Sequence, residues 1–164
     1  ADQVAALRVN TFRESAALYP GVPETTGQAQ YSLGFSLAAM IVHGHVGPEQ
    51  ISGSGLTDSR VAKMLEKINV TEEARHSERF PKHRFADISL ELRDGRVIDS
   101  GDQDARGGPE DPMSREEVAS KFSLFAAPVL GEVRSQALWQ MTDQMLTADH
   151  MFRDMLSLVL PAPQ

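Results

Sequence analysis

The chain has 164 residues, enough for one domain with a buried core. Apolar residues make up 41%, a little low, and charged residues 24%, ordinary for a globular protein, and 23 acidic against 16 basic residues give a net charge of −7. No Lys/Arg cluster offers the phosphate-neutralising footprint of a nucleic-acid binder, and the absence of cysteine excludes disulfides, thiolate metal sites and a cysteine nucleophile.

Gln3 to Asn10 alternates, with Ala5, Leu7 and Val9 on one side and Ala6, Arg8 and Asn10 on the other, the pattern of a half-buried strand. Arg13 to Gly27, carrying Pro20-Gly21, Pro23 and Thr25-Thr26, reads as a long loop ending at a helix N-cap. Gln28 to Gly44 then forms one helix, apolar or small on almost every side until His43, with Gly44 as its C-terminal glycine. Ser and Gly interrupt it and it is too short to cross a bilayer, so it belongs inside a domain or between that domain and a partner.

Pro48 opens a helical turn and Gly53-Ser54-Gly55 breaks the chain. From Thr57 or Asp58 to Ile68 the spacing is helical, with Val61, Met64, Leu65 and Ile68 on one face. Ile68 to Thr71 reads as a second strand, followed by a polar, charged loop through Lys82 that holds His76. Phe85 to Ile98 carries the clearest β signal, a hairpin turning at Asp94-Gly95. Gly101 to Pro112 is a loop, and Ser114-Arg115-Glu116-Glu117 matches a capping box for a helix reaching about Phe125. A last helical block runs from Gly131 to about Leu158, with Val133, Ala137, Met141 and Met145 at four-residue steps and a break near Asp149-His150. This order predicts a single α+β domain over residues 1–164, an antiparallel sheet of about four strands with helices on one face and the other face wet.

The chemistry is sparse. His43-Gly44-His45 spans a helix end at a spacing of two, which suits the terminal dipole better than a metal, so no metal site is expected. Asp87, Glu91 and Asp99 fall on the wet face of the hairpin as solubilising charges, and His76, His83 and His150 stand isolated in polar context. Ser32 and Ser36 lack the strand-to-helix elbow of an esterase and read as packing residues. Gly107-Gly108 reads as a turn, with Arg106 able to meet an anion. No catalytic set is complete.

Several segments in order resemble the C-terminal domain of the MmgE/PrpD family. They are Leu7-Arg8-Val9, Gln28-Ala29-Gln30-Tyr31-Ser32 with the apolar helix to His43-Gly44, and Leu56-Thr57-Asp58-Ser59-Arg60-Val61. Leu90-Glu91-Leu92-Arg93-Asp94-Gly95-Arg96 and Arg106-Gly107-Gly108-Pro109 through Ser114, with Lys121-Phe122, complete the series. The resemblance implies the lid of a lyase or isomerase that moves a proton beside a carboxylate of a small polycarboxylate, with no required metal or organic cofactor. In that family a larger helical domain, formed from the N-terminal part with a C-terminal return, carries most of the acid/base residues. One of these is the Lys of a Lys-x-(Tyr/Phe)-Pro motif that this chain lacks.

The resemblance leaves no catalytic residue here. The lid-side substrate candidates are Gln28, Gln30, Tyr31 and Ser32 at the helix start, and Arg106; a lid Tyr after the first strand aligns near Glu14, with Tyr19 the nearest. The implied partners are an N-terminal helical domain of the same polypeptide and a second copy in a homodimer. A chain starting Ala1-Asp2 without an initiator Met, and with no signal-peptide apolar stretch, reads as an excised cytoplasmic piece, inactive alone. The alternatives are an iminodisuccinate epimerase-like isomerase, or a non-catalytic binding or dimerisation module whose apolar helix is the assembly surface.

Overall fold

Leu7, Val9 and Thr11 are buried while Arg8 between them is exposed, and this alternation makes Val4–Thr11 strand β1. The computed structural model describes residues 1–144 and 152–160. The chain divides into two compact units, Ala1–Ala105 and Arg106–Gln164.

The first unit is α+β. After β1 come a short helix α1 (Arg13–Ala16), then α2 (Thr26–Gln30) and α3 (Leu33–His43). A 3-10 turn over Gly53–Thr57 leads into α4 (Ser59–Leu65), β2 (Ile68–Glu72) and the one-turn helix α5 (Ala74–Ser77). β3 (Phe85–Leu92), β4 (Val97–Asp99) and β5 (Gln103–Asp104) complete it.

The sheet is mostly antiparallel, in the order β2-β1-β3-β4, with β5 also on β3. Two features depart from the sequence reading. β2 pairs with β1 in parallel, Leu7 opposite Ile68 and Thr11 opposite Glu72. A parallel neighbour needs a crossover, and α1 to α4 supply it. β4 and β5 together track β3, but the register slips between Ser89–Asp99 and Ala86–Gln103, an extra residue that bends the edge within the expected loop.

The hairpin forms where expected, though with a different turn. Leu92 N–H donates to the Arg96 carbonyl and Gly95 N–H to the Leu92 carbonyl, leaving Arg93, Asp94 and Gly95 as the loop. Of Asp94 and Gly95 only Gly95 takes positive φ, 85°, so this is a three-residue loop with its left-handed residue last.

α3 and α4 cover the apolar face of the sheet, as the sequence predicts. Phe35, Ala38 and Ala39 of α3 and Val61, Met64 and Leu65 of α4 form one buried cluster with Val4 and Ala29, with Ile68 and Leu90 packed against it. Burying Phe35 alone is worth about 2 to 3 kcal/mol. The long apolar helix is two helices: α2 ends at Gln30, and Ser32 in extended conformation restarts the chain as N-cap of α3. The spacing of apolar residues carried no mark of this break: α3 is buried on several sides, while α2 is short and buries only Ala29. α3 ends on Gly44 at φ 79°, the left-handed cap its sequence requires.

The second unit is helical: α6 (Arg115–Leu130), α7 (Glu132–Gln144) and α8 (Phe152–Val159). Ser114 and Glu117 make the expected capping box, and α6 runs past Phe125 through Pro128 to Leu130. Phe122 and Trp139 pack ring on ring at 5.4 Å between α6 and α7. Met145 and the break expected near Asp149-His150 lie outside the described residues. No helix among the described residues is long and apolar enough to cross a membrane.

Candidate functional site

Gln28 to Ser32 sit at the junction of α2 and α3, and local hydrogen bonding decides what each side chain is free to do. Thr25 Oγ1 accepts from Gln28 N–H at 3.2 Å, and Gln28 Oε1 accepts in return from the N–H groups of Glu24 at 2.8 Å and Thr25 at 3.3 Å. Gln28 is thus the far half of a capping box. Ser32 Oγ accepts from Phe35 N–H at 3.2 Å, and Ser32 is buried. Its role is to cap α3, rather than to fill space. Gln30 and Tyr31 face outward, Tyr31 65% exposed.

The loop after β1 returns to this junction, where Tyr19 N–H donates to the Tyr31 carbonyl at 2.8 Å. Beside it lies a cavity of about 180 Å³, lined by Leu18, Tyr19, Leu33, Gly34 and Val70 among others. Four of the five candidates are therefore neighbours, with the Tyr nearest the first strand beside them. Arg106 belongs to the helical unit. Its Nε meets Asp111 at 3.0 Å and its two Nη atoms meet Glu117 at 2.7 and 3.2 Å, so the anions it holds are its own chain's. The Arg106 hydrogen bond keeps the Glu117 carboxyl below its ordinary range.

A second cluster corrects the reading of His76 and Asp87. His76 is fully buried on α5, and its Nε2 lies 2.7 Å from Asp87 Oδ2. Asn10 Nδ2 donates to Asp87 Oδ1 at 2.9 Å, across the β1–β3 register that pairs these two residues. Arg75 bridges the carboxylates of Asp87 and Asp102, and Arg79 donates to Asp102 at 2.9 Å. α5 therefore covers the end of the polar sheet face, which was expected to be wet, with His76 buried and Asp87, Asp102 and Arg75 partly exposed. Burial pushes the Asp87 carboxyl up, but hydrogen bonds from His76 and Asn10 and the Arg75 charge outweigh it and hold it below its usual range. His83 is also paired, its Nδ1 2.7 Å from Asp104 Oδ2.

His76, Asp87 and Asp102 bring ligand-type atoms within 4.8 Å of one another. The Arg75 guanidinium already bridges both carboxylates, and His76 Nε2 is committed to Asp87. The group is a charge-balanced knot fastening α5 to the sheet, and it lacks the uncompensated negative charge that draws a divalent cation. A signal was present in the sequence: Asn10 and Asp87 both fall on the polar side of their strands.

His43 has a partner that its sequence context did not announce. At the C-terminus of α3, its Nε2 lies 3.2 Å from Asp58 Oδ2, the N-cap of α4, tying two helix ends together.

No curated protein matches the chain. The family model for the MmgE/PrpD C-terminal domain matches residues 1–146, which takes in the sheet, its helical cover, α6 and α7. With all but the last part of the sequence matched in this way, the chain belongs to the MmgE/PrpD family as its C-terminal domain.

Proposed function

We propose that the α+β unit, Ala1–Ala105, is the lid of a cofactor-independent lyase or isomerase for small polycarboxylates, of the 2-methylcitrate dehydratase type. The match to the MmgE/PrpD C-terminal domain over residues 1–146 carries this reading. A C-terminal domain implies an N-terminal partner domain, and on this reading the acid/base residues reside there. Gln30 and Tyr31, exposed at the α2–α3 junction, are the lid residues offered to substrate.

The helical unit supports the same reading. Among the described residues no apolar side chain beyond Leu92 is buried, whereas Val129 and Val133 are 82% exposed and Phe152 64%. Helices with this much apolar surface call for a covering partner. On this reading α6 to α8 are the C-terminal return that packs onto the helical domain, and homodimerisation belongs to the reunited protein.

Supplying the N-terminal helical domain in trans tests the reading. Turnover of 2-methylcitrate, cis-aconitate or iminodisuccinate is expected from the pair and none from either part; the productive substrate separates lyase from epimerase. Turnover by the 164-residue chain alone sinks the lid assignment.

A further inference from the structure

β2 is an edge strand, with β1 on one side and, among the described residues, no strand on the other. Leu7 N–H donates to the Lys67 carbonyl at 2.9 Å, and Glu73 N–H donates to the Thr11 carbonyl at 2.8 Å. These two bonds set the phase of the parallel ladder, in which alternate residues face the neighbouring strand. Lys67, Asn69, Thr71 and Glu73 therefore turn toward β1, while Ile68, Val70 and Glu72 turn their N–H and C=O groups outward. Among the described residues nothing takes these outward groups up. No proline or bulge protects the edge, and its register runs unbroken from Ile68 to Glu72.

The cavity of about 180 Å³ near Tyr19 is walled by this same strand. Ile68 and Val70 line it, and they stand opposite Leu7 and Val9 in register, on the helix-covered face. Ala16 and Leu18 add wall from α1 and the loop after it, and Leu33 and Leu65 from the helical layer. None of the lining residues precedes Ser15. A cavity of about 150 Å³ is enough for a benzene ring, so this one takes a side chain the size of leucine. A residue directly opposite Val70 on an added strand places its side chain on that same face.

Charge supplies a direction. Glu72 is paired with Arg13, but the Glu73 carboxylate accepts no hydrogen bond. It meets an Arg75 charge that is already shared between Asp87 and Asp102.

We infer that β2 docks an extended peptide segment of a partner protein, added antiparallel to its open edge, with a leucine-sized side chain opposite Val70 and a basic residue opposite Glu73. Main-chain bonds to Ile68, Val70 and Glu72 supply the affinity, and the cavity selects the side chain. A second copy is a poorer occupant. Arg13 ties α1 to Glu72 on this strand, so pairing two such edges antiparallel brings both α1 helices against one joined pair of strands. The edge is a property of the fold and does not depend on the lid reading.

An NMR titration of the 164-residue chain with the peptide acetyl-Lys-Thr-Thr-Leu-Thr-Thr-amide tests this. Saturable shifts are expected at the amides of Ile68, Val70 and Glu72, with Val97 on the far edge unmoved. Hydrogen exchange at those three amides should slow in the complex, because the outward N–H groups are the ones that gain partners. Methylating the leucine nitrogen of the peptide, or replacing its leucine by glycine, should each weaken binding on the order of tenfold. Val70→Pro removes an outward donor and leaves the β1 ladder whole, so it should weaken binding likewise. The amides of Val9 and Phe35, in their native positions, report a folded variant.

Slowed exchange on the edge together with loss of binding on methylation supports the docking site. No saturable shift overturns it, as does a methylated or glycine peptide that binds as tightly as the parent. Concentration-dependent shifts at the same amides without peptide assign the edge to a second copy and overturn it too.

Discussion

One oxygen of Asp87 lies 2.7 Å from His76 Nε2 while the other accepts from Asn10 Nδ2 at 2.9 Å. A single carboxylate thereby joins a one-turn helix to two strands. Asp87→Asn keeps the shape but strips the charge that Arg75 and His76 face, so it should cost about 2 kcal/mol. Urea unfolding reads this as a lower midpoint with unchanged slope. A midpoint within error of the parent protein would show that the knot is incidental.

The carboxyls of Asp58, Glu72, Asp102 and Asp104 all titrate below their ordinary range. The main causes are hydrogen bonds from the side chains of Arg60, Arg13 and Arg75 and from the Arg84 backbone, respectively. Asp87 joins them despite its burial. Each group binds its proton more weakly folded than unfolded, so its stabilisation is complete above the unfolded value, about 4, and is lost on acidification. The urea midpoint should hold from about pH 7 to pH 5 and then fall steadily toward pH 2. Asp102→Asn should flatten that fall. A midpoint that holds down to about pH 3 would contradict the assignment.

Two neighbouring residues at the α2–α3 junction should respond in opposite ways. Ser32→Ala removes the acceptor for Phe35 N–H in a buried site and should cost about 1 kcal/mol. Tyr31→Ala removes an exposed ring and should stay within about 0.5 kcal/mol. In the reunited protein Tyr31→Ala should instead lower kcat/KM while leaving the thermal midpoint in place. Equal stability losses from both variants would mean that Tyr31 is structural.

Phe35→Ala should cost about 3 to 5 kcal/mol, since its ring is 1% exposed at the centre of the α3–α4 cluster. A loss that large leaves little of a marginal domain's stability. The measurement is the midpoint in urea, or the soluble yield if the variant does not accumulate.

The features legible in the sequence were those written by local rules. The alternation of β1, the capping box of Ser114 and Glu117, the cap at Gly44 and the hairpin around Gly95 each depend on a few adjacent residues. Features set by partners distant in sequence were not legible. The parallel pairing of Leu7 with Ile68 leaves no mark on either strand. The burial of His76 depends on Asp87 arriving from β3, and Arg75 and Asp102 meet only once the fold brings their segments together. Ser32 shows a third kind of difficulty, because a small polar residue in an apolar run fits packing and capping equally well until the backbone turns there.

The placement of β1 between β2 and β3 has a consequence for how the molecule assembles. The strand earliest in the chain is paired on both sides by strands that follow it, starting at Ile68 and Phe85. Synthesis therefore presents β1 before either of the strands that pair with it has been made. Such distant pairings form slowly, and meanwhile a neighbouring nascent chain can take the vacant place. Yield on expression should accordingly depend more on temperature and chaperone supply than on the equilibrium stability of the finished fold.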